Sequence, residues 1–325
     1  LSEVATFRKG IYKNELVRKF AMWLDASPHP PLAVEVATDR VAGARLSRTG
    51  SLDGFAVETL PPGAVVPSAV ETNLINSAAV KSAFESVCSR LRAKNEDIAI
   101  LVPDPVVRVF VQHFDEFPRS PQEAVPMLRW KLKKSVPFEV EETLISYMRQ
   151  APRDGGVDVV TALGRLRIVR EYEALAENLG LTPGVILSSS LAAVSLLADH
   201  RPTLLARIAG QALTTVIVRD GVLCGYRCTE LPVHGTLLTP QMLLEEIYPV
   251  AAYYQDTWHE GIQGVRVAGL GARLPEFVKP LENEFHCEVR SLLHTALSEG
   301  RLSDEARPLA DRELEGLVGW MLQRN

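Results

Sequence analysis

Nucleophiles, general acids and metal ligands are where chemistry would show first, and the chain offers several such side chains. Ser188-Ser189-Ser190 could supply a nucleophile, but no Gly-x-Ser-x-Gly elbow surrounds it. A serine ahead of an apolar run reads instead as a helix N-cap. Glu139, Glu141 and Glu142 could form a general acid/base pair, yet no partner for them is in sight and they read as a solvated turn. The histidines are His29, His113, His200, His234, His259, His286 and His294, and none pairs with another His, Cys or acid at metal-ligand spacing. Cys88, Cys224, Cys228 and Cys287 are scattered; Cys224 and Cys228, four apart, share one face of a strand. That is neither redox CxxC spacing nor half of a zinc site, so reduced thiols in a cytoplasmic protein are expected. Arg129, Lys131, Lys133 and Lys134 make a basic helical patch, either a solvated face or a contact surface for an acidic partner.

The elements that must carry these residues follow from pattern. With 325 residues the chain can bury a large core in two lobes or domains. Hydrophobic residues at 46% and charged residues at 23% are close to a soluble globular average. A net charge of -5 argues against a broad nucleic-acid face, and no apolar run reaches the length of a membrane span. No export signal is read at the N-terminus. Lys13 to Leu24 places Leu16, Val17, Phe20, Trp23 and Leu24 at helical spacing, which predicts an amphipathic helix that docks on the protein itself, on a membrane or on a partner. Pro28 to Pro31 then breaks it and suits an extended linker.

Short strands follow. Leu32–Ala37, Arg40–Leu46 and Phe55–Leu60 are read as a three-strand run, then a helix over Ala78–Lys94 and a buried strand over Ile98–Val102. A small α+β segment is read over 105–164, with a helix at Pro121–Ser135 and a hairpin turning at Asp154-Gly155-Gly156. Helices at Leu166–Leu179 and Ser190–Ala198 flank a strand near Pro183–Leu187. Then the pattern restarts. Thr203–Ala209, Leu213–Arg219 and Val222–Glu230 form a second three-strand run, with Asp220-Gly221 as a tight turn. A helix at Thr239–His259, a strand at Gly264–Ala268, a Gly269-Leu270-Gly271 turn and helices at Pro275–Phe285 and Asp311–Leu322 complete it. Repetition at this spacing predicts a duplicated lobe, with two halves facing across a cleft.

A three-strand start in each of two lobes resembles the actin, hexokinase and Hsp70 superfamily. Leu128-Arg129-Trp130-Lys131, then Ser135-Val136-Pro137-Phe138-Glu139 and Glu141-Glu142-Thr143 leading into a strand, narrow the resemblance to PilM, the type IV pilus assembly protein. Leu60-Pro61-Pro62-Gly63, Asn178 to Pro183 and the Arg219-Asp220-Gly221 hairpin extend it. FtsA shares the fold, and the type II secretion protein GspL is more distant. The expected fold is therefore α/β, an actin-like (ribonuclease H-like) duplicated two-lobed fold. Its parts would be 1–31 (helix and linker), 32–104 with 165–200 (first lobe), 105–164 (insertion) and 201–325 (second lobe).

The resemblance implies an ATP site built from an acidic residue and a glycine in each hairpin and a glycine turn near the adenosine. PilM relatives commonly show Asp-Ile-Gly in both hairpins. Here the first reads Glu35-Val36-Ala37, turning at Thr38, and the second Arg207-Ile208-Ala209. Ala37 and Ala209 crowd the phosphate approach, and Arg207 repels a metal. Gly269 and Gly271 alone survive of the third element, and no aspartate base is found near either hairpin. The expectation is a pseudo-ATPase with no cofactor or metal, ATP with magnesium being the outside alternative. The resemblance further implies a scaffold peripheral to the cytoplasmic side of the inner membrane, capturing a short cytoplasmic peptide of a PilN-like protein near the insertion. A phosphotransferase or nucleotide-regulated member of the superfamily and an FtsA-like filament former are the competing readings.

Overall fold

The computed structural model describes residues 29–47, 51–197, 200–232, 237–298 and 306–322, so the expected Lys13–Leu24 helix lies outside the described residues. The first half runs β1 (Leu32–Val36), β2 (Arg40–Leu46), β3 (Leu52–Thr59), α1 (Ser77–Arg90) and β4 (Asp97–Val102). An inserted segment follows with β5 (Arg108–Phe114), α2 (Pro121–Leu132), β6 (Thr143–Arg153) and β7 (Gly156–Arg165). The chain then returns through α3 (Leu166–Glu177), β8 (Thr182–Ser188) and the short α4 (Ser189–Ala193). The second half has β9 (Thr203–Ala209), β10 (Ala212–Arg219), β11 (Val222–Glu230), α5 (Pro240–Trp258), β12 (Gly264–Ala268) and α6 (Leu274–Phe285). It closes with β13 (Glu288–Ser291), α7 (Leu292–Ser298), α8 (Arg307–Ala310) and α9 (Glu315–Leu322).

The two halves build the same sheet. One five-stranded sheet has the order β3-β2-β1-β4-β8 and the other β11-β10-β9-β12-β13. In each, an antiparallel three-strand meander is extended by two parallel strands. The central strands β1 (LAVEV) and β9 (TLLARIA) are buried almost throughout, which is why their sequences run nearly apolar instead of alternating. Asp220-Gly221 and Asp154-Gly155 both take left-handed φ, 48° and 73° in one and 50° and 83° in the other. Two consecutive left-handed residues are what a type I′ two-residue hairpin turn requires.

Each sheet carries helices on its outer face: α1 and α3 on the first, with Phe84, Val87 and Tyr172 buried, and α5 and α6 on the second, with Ile247, Tyr254 and Phe277 buried. Between the sheets lies a shared apolar core of Leu101, Leu187, Leu191, Leu205, Val216, Leu293, Leu317 and Trp320. This inner layer is made by α4, α7 and α9. The insertion has its own three-stranded sheet, β5-β7-β6, and a small core around Phe114, Phe117 and Leu128.

Four elements differ from expectation. The helix expected over Asp311–Leu322 is broken at Glu313, whose φ of 52° cannot continue a right-handed helix. The helix expected over Ser190–Ala198 gives way to a 3₁₀ turn at Val194–Leu196. β13 and α7 were not anticipated, because Glu288-Val289-Arg290-Ser291 is too short and charged to read as a strand.

Candidate functional site

The two repeated hairpins meet. In the first, β1 turns at Thr38-Asp39, with Ala37 N–H donating to Arg40 O at 2.8 Å. In the second, β9 turns at Gly210-Gln211, where Gly210 has φ of 63°. A Cβ placed on Gly210 would stand 3.0 Å from Thr38 Oγ1, so the tips touch across the cleft.

Beneath the tips lies a buried ionic cluster. Arg207, fixed in β9, reaches Glu35 of β1 at 3.3 Å, Asp104 at the end of β4 at 3.5 Å and Glu315 of α9 at 3.7 Å. None of these four side chains exceeds 5% exposure. Ser189 Oγ donates to Glu35, and Arg207 also reaches Ser190 Oγ at 3.3 Å. Asp104 accepts from Ser190 N–H (2.9 Å), Ser190 Oγ (2.5 Å), Thr214 Oγ1 (2.9 Å) and Tyr226 OH (3.4 Å). Burial opposes the charge on Arg207, but the carboxylates of Glu35, Glu315 and Asp104 outweigh it and keep the guanidinium protonated. Burial pushes the Glu315 carboxyl up against the pull of Arg207. It also pushes the Tyr226 phenol far up, with Asp104 adding to the effect.

The C-terminal helix closes the cluster from behind. Gly316 lets α9 approach: a Cβ there would stand 3.1 Å from Glu35 Oε1 and closer still to Ser189 Oγ. Gly319 abuts the backbone of Ala192 and Ala193 in α4. Trp320, fully buried, stacks on His29 at 3.9 Å between ring centroids and donates to Pro30 O at 3.3 Å.

The site residues read from sequence fall into one cleft. Glu35, Ala37, Thr38, Arg207, Ala209 and Gly269 line a cavity of about 290 Å³, whose wall also carries Asp39, Glu313 and Glu315. Gly269 and Gly271 line a second cavity of about 190 Å³ next to it. Both glycines have packing reasons of their own. A Cβ on Gly269 would press into the backbone of Ile208, at 2.9 Å from its carbonyl carbon, and one on Gly271 would meet Glu313 Oε1 at 3.4 Å. Both also take left-handed φ, 80° and 50°.

Sequence reasoning missed Asp104, Ser189, Ser190, Thr214, Tyr226 and Glu315. No aspartate base was expected near the hairpins, yet the topology carries the Asp104 carboxylate there from the end of β4, beside Glu35. Its two oxygens are nevertheless saturated by donors, so it is no free base. Glu315 did leave a signal, as the one acid of the otherwise apolar EGLVGWML helix. The serine triplet behaves as read: Ser188 caps α4, accepting from Leu191 N–H at 3.3 Å.

A magnesium–triphosphate group does not fit these residues. The carboxylates that would face the metal are already engaged by Arg207 and by hydroxyl donors, although Glu35 Oε2 has no hydrogen-bond partner among the described residues. A guanidinium in their midst repels a divalent cation, and phosphates would meet Glu313 and Glu315. Among the described residues no group of His, Cys, Asp or Glu side chains is arranged to hold a metal ion.

Outside the cleft, the basic patch is largely consumed by the insertion itself. Arg129 donates to Val140 O and Thr143 O, and Lys131 lies over the Phe114 ring at 3.7 Å. Trp130, by contrast, is 81% exposed. Gln150 of β6 ties the insertion to the second lobe, giving and receiving hydrogen bonds with Leu223 at 2.8 and 2.7 Å. His113 and Arg153 both hold the buried Asp158.

Two sheets of identical order, meeting through their first hairpins over a cleft, define the actin-like duplicated α/β fold. Within that class the chain has the fold of PilM. It is similar to the structure of the PilM–PilN type IV pilus biogenesis complex, with 15% identity over 91% of this chain and 98% of that one and a TM-score of 0.69. Weaker likenesses, which carry no argument, include the cytoplasmic domain of EpsL, an inner-membrane component of the type II secretion system of Vibrio cholerae. It shows 11% identity, 82% and 94% coverage and a TM-score of 0.46. MreB 5 of Spiroplasma citri bound to AMPPNP is similar at 10% identity, 89% and 93% coverage and a TM-score of 0.42. No family model matches the chain, and no curated protein matches it in sequence.

Proposed function

We propose that the chain is a scaffold of a type IV pilus or related secretion machine, working at the cytoplasmic face of the inner membrane without ATP. The observation that carries this reading is the shared shape with PilM over 91% of the chain. In this reading 32–104 with 165–200 is the first lobe, 105–164 the insertion and 201–325 the second lobe, α9 being lent back to the first. No described helix is long and apolar enough to cross a membrane. In this reading a membrane-bound partner provides the attachment, which the likeness to the PilM–PilN complex supports. That partner is PilN-like and presents a short cytoplasmic peptide.

A groove of about 520 Å³ suits such a peptide. Val65, Val66, Pro67 and Ala69 of the first lobe form one wall, with Arg108 where the insertion begins and Thr229 and Glu230 of β11 opposite. Val66 is half exposed. β11 is the edge of its sheet; Gln150 takes the main-chain groups of Leu223, but the Thr229–Glu230 end lines the groove, where an added strand gains affinity from main-chain pairing and selection from apolar pockets. The site residues Glu35, Ala37, Thr38, Arg207, Ala209, Gly269 and Gly271 are then the positions of a decayed nucleotide site.

Calorimetric titration with the synthetic N-terminal segment of the PilN-like partner tests this. Binding without nucleotide, lost in Val66→Asp, is expected. Mg-ATP should give heat only with the Glu35→Asp, Ala37→Gly, Arg207→Asp, Ala209→Gly reversion. Peptide binding that requires Mg-ATP would overturn the reading.

A further inference from the structure

We propose that Arg207 is a built-in latch that holds the two lobes shut with no nucleotide present. The inference rests on the reading that the cleft no longer uses ATP, and it assigns the cluster a positive task. In a two-lobed protein that closes on its ligand, the bridging charges arrive with the ligand, and closure is set by differential binding. Here they belong to the chain. Glu35, Asp104 and Ser190 come from the first lobe, while Arg207, Thr214 and Tyr226 come from the second. Glu315 is delivered by α9, which is packed on α4 of the first lobe.

Most contacts of Arg207 and Asp104 therefore cross the lobe boundary, and parting the lobes would break them together. Opening would strip Asp104 of Thr214 and Tyr226 and take Arg207 from all its carboxylates. A second clasp lies above: Arg40 of the first hairpin donates to Glu313 O at 3.0 Å. The consequence reaches the peptide groove, because Thr38, Ala209 and Gly210 line both it and the inner cavity. One groove wall belongs to each lobe, so a latched cleft keeps the groove at a single width, ready for its occupant.

The touching tips supply the test. A Cβ at Gly210 would stand 3.8 Å from Thr38 Cβ, the separation a disulfide wants. Thr38→Cys with Gly210→Cys, in the full chain, is oxidised without nucleotide or partner, and the rate of linkage between positions 38 and 210 is followed by mass spectrometry. Any strain from a cysteine at the left-handed position 210 is common to every variant compared. Burial pushes the thiols of Cys88, Cys224 and Cys228 up to about 12, which keeps them slow to compete.

Fast linkage, unchanged by Mg-ATP, is expected in the parent pair. Adding Arg207→Met should slow it about ten-fold or more, the population change that goes with losing buried charge-assisted hydrogen bonds. Arg207→Lys keeps the charge but cannot span the carboxylates, so it should slow linkage too and covers the case in which Arg207→Met fails to fold. Once linked, the Arg207→Met protein should regain parental peptide affinity, which a purely structural role for Arg207 would not produce. Equal rates with and without Arg207 would overturn the latch while leaving the ATP-independent reading intact. Linkage that needs Mg-ATP would overturn that reading as well as the latch.

Discussion

Gly319→Ala sets helix propensity against packing. Gly319 lies inside α9, and replacing glycine by alanine in a helix interior normally stabilises by about 1 kcal/mol. The geometry opposes this. The new Cβ would stand 2.7 Å from the carbonyl carbon of Ala192 and 2.8 Å from Cα of Ala193, and nearer still to the Ala192 oxygen. These are backbone atoms of α4, which cannot rotate out of the way, so the overpacking falls at the upper end of the usual range, ~3 kcal/mol. The net expectation is a loss of about 2 kcal/mol. Urea unfolding followed by circular dichroism measures it. Gly261→Ala is the control, since a Cβ there meets no atom of the described residues within 4 Å and no stability should be lost. A Gly319→Ala protein as stable as the parent, or more so, would refute the close α9–α4 packing on which the placement of Glu315 depends.

Two further outcomes follow from protonation. Burial raises the Glu315 carboxyl above its ordinary 4.5, so the folded state keeps that proton better than the unfolded chain. Stability is then full below that value and is lost as pH rises through the folded pKa. Glu315→Gln removes the loss: its gain over the parent, read as melting temperature, should be absent in acid and present at neutral pH, and the opposite order would refute the assignment. Asp158 behaves conversely. Burial would raise its pKa, but hydrogen bonds from Arg153 and His113 outweigh that and lower it below 3.8. Its contribution is present above that value and is lost as pH falls through the folded pKa. Asp158→Asn should therefore cost about 1.5–3 kcal/mol at neutral pH, the worth of hydrogen bonds to charged groups, and less in acid. A penalty independent of pH would show that Asp158 matters by shape alone.

The repeated meander was legible because strand and turn chemistry are local. Asp220-Gly221 and Asp154-Gly155 announce their turns by residue type, and β1 and β9 announce burial by runs that are nearly all apolar. That Glu35 and Arg207 share a cleft also followed, since equivalent positions of a duplicated lobe must face one another. What Arg207 does there was not legible. Its partners Asp104 and Glu315 lie far away in sequence, and only the parallel placement of β4 beside β1 and the return of α9 to α4 bring them near. Glu313 hid the break between α8 and α9, because a left-handed glutamate has no residue-type signature.

The departures from the Asp-x-Gly pattern make sense only together. A lone arginine in place of a hairpin acid would be a buried cation at prohibitive desolvation cost. Here it is matched by Glu35, by Asp104 and by a glutamate on an otherwise apolar helix, which needs Gly316 to come close enough. Under the proposed reading no phosphate has to approach the hairpins, so alanine in place of glycine at Ala37 and Ala209 carries no cost there. Buried ionic clusters are poor sources of stability, and apolar residues of the same volume often do as well or better. What an apolar filling could not do is demand one alignment of the lobes, because slippage costs little among methyl groups and much among charges that must stay paired. The cluster is therefore better explained by the geometry it enforces than by the stability it adds.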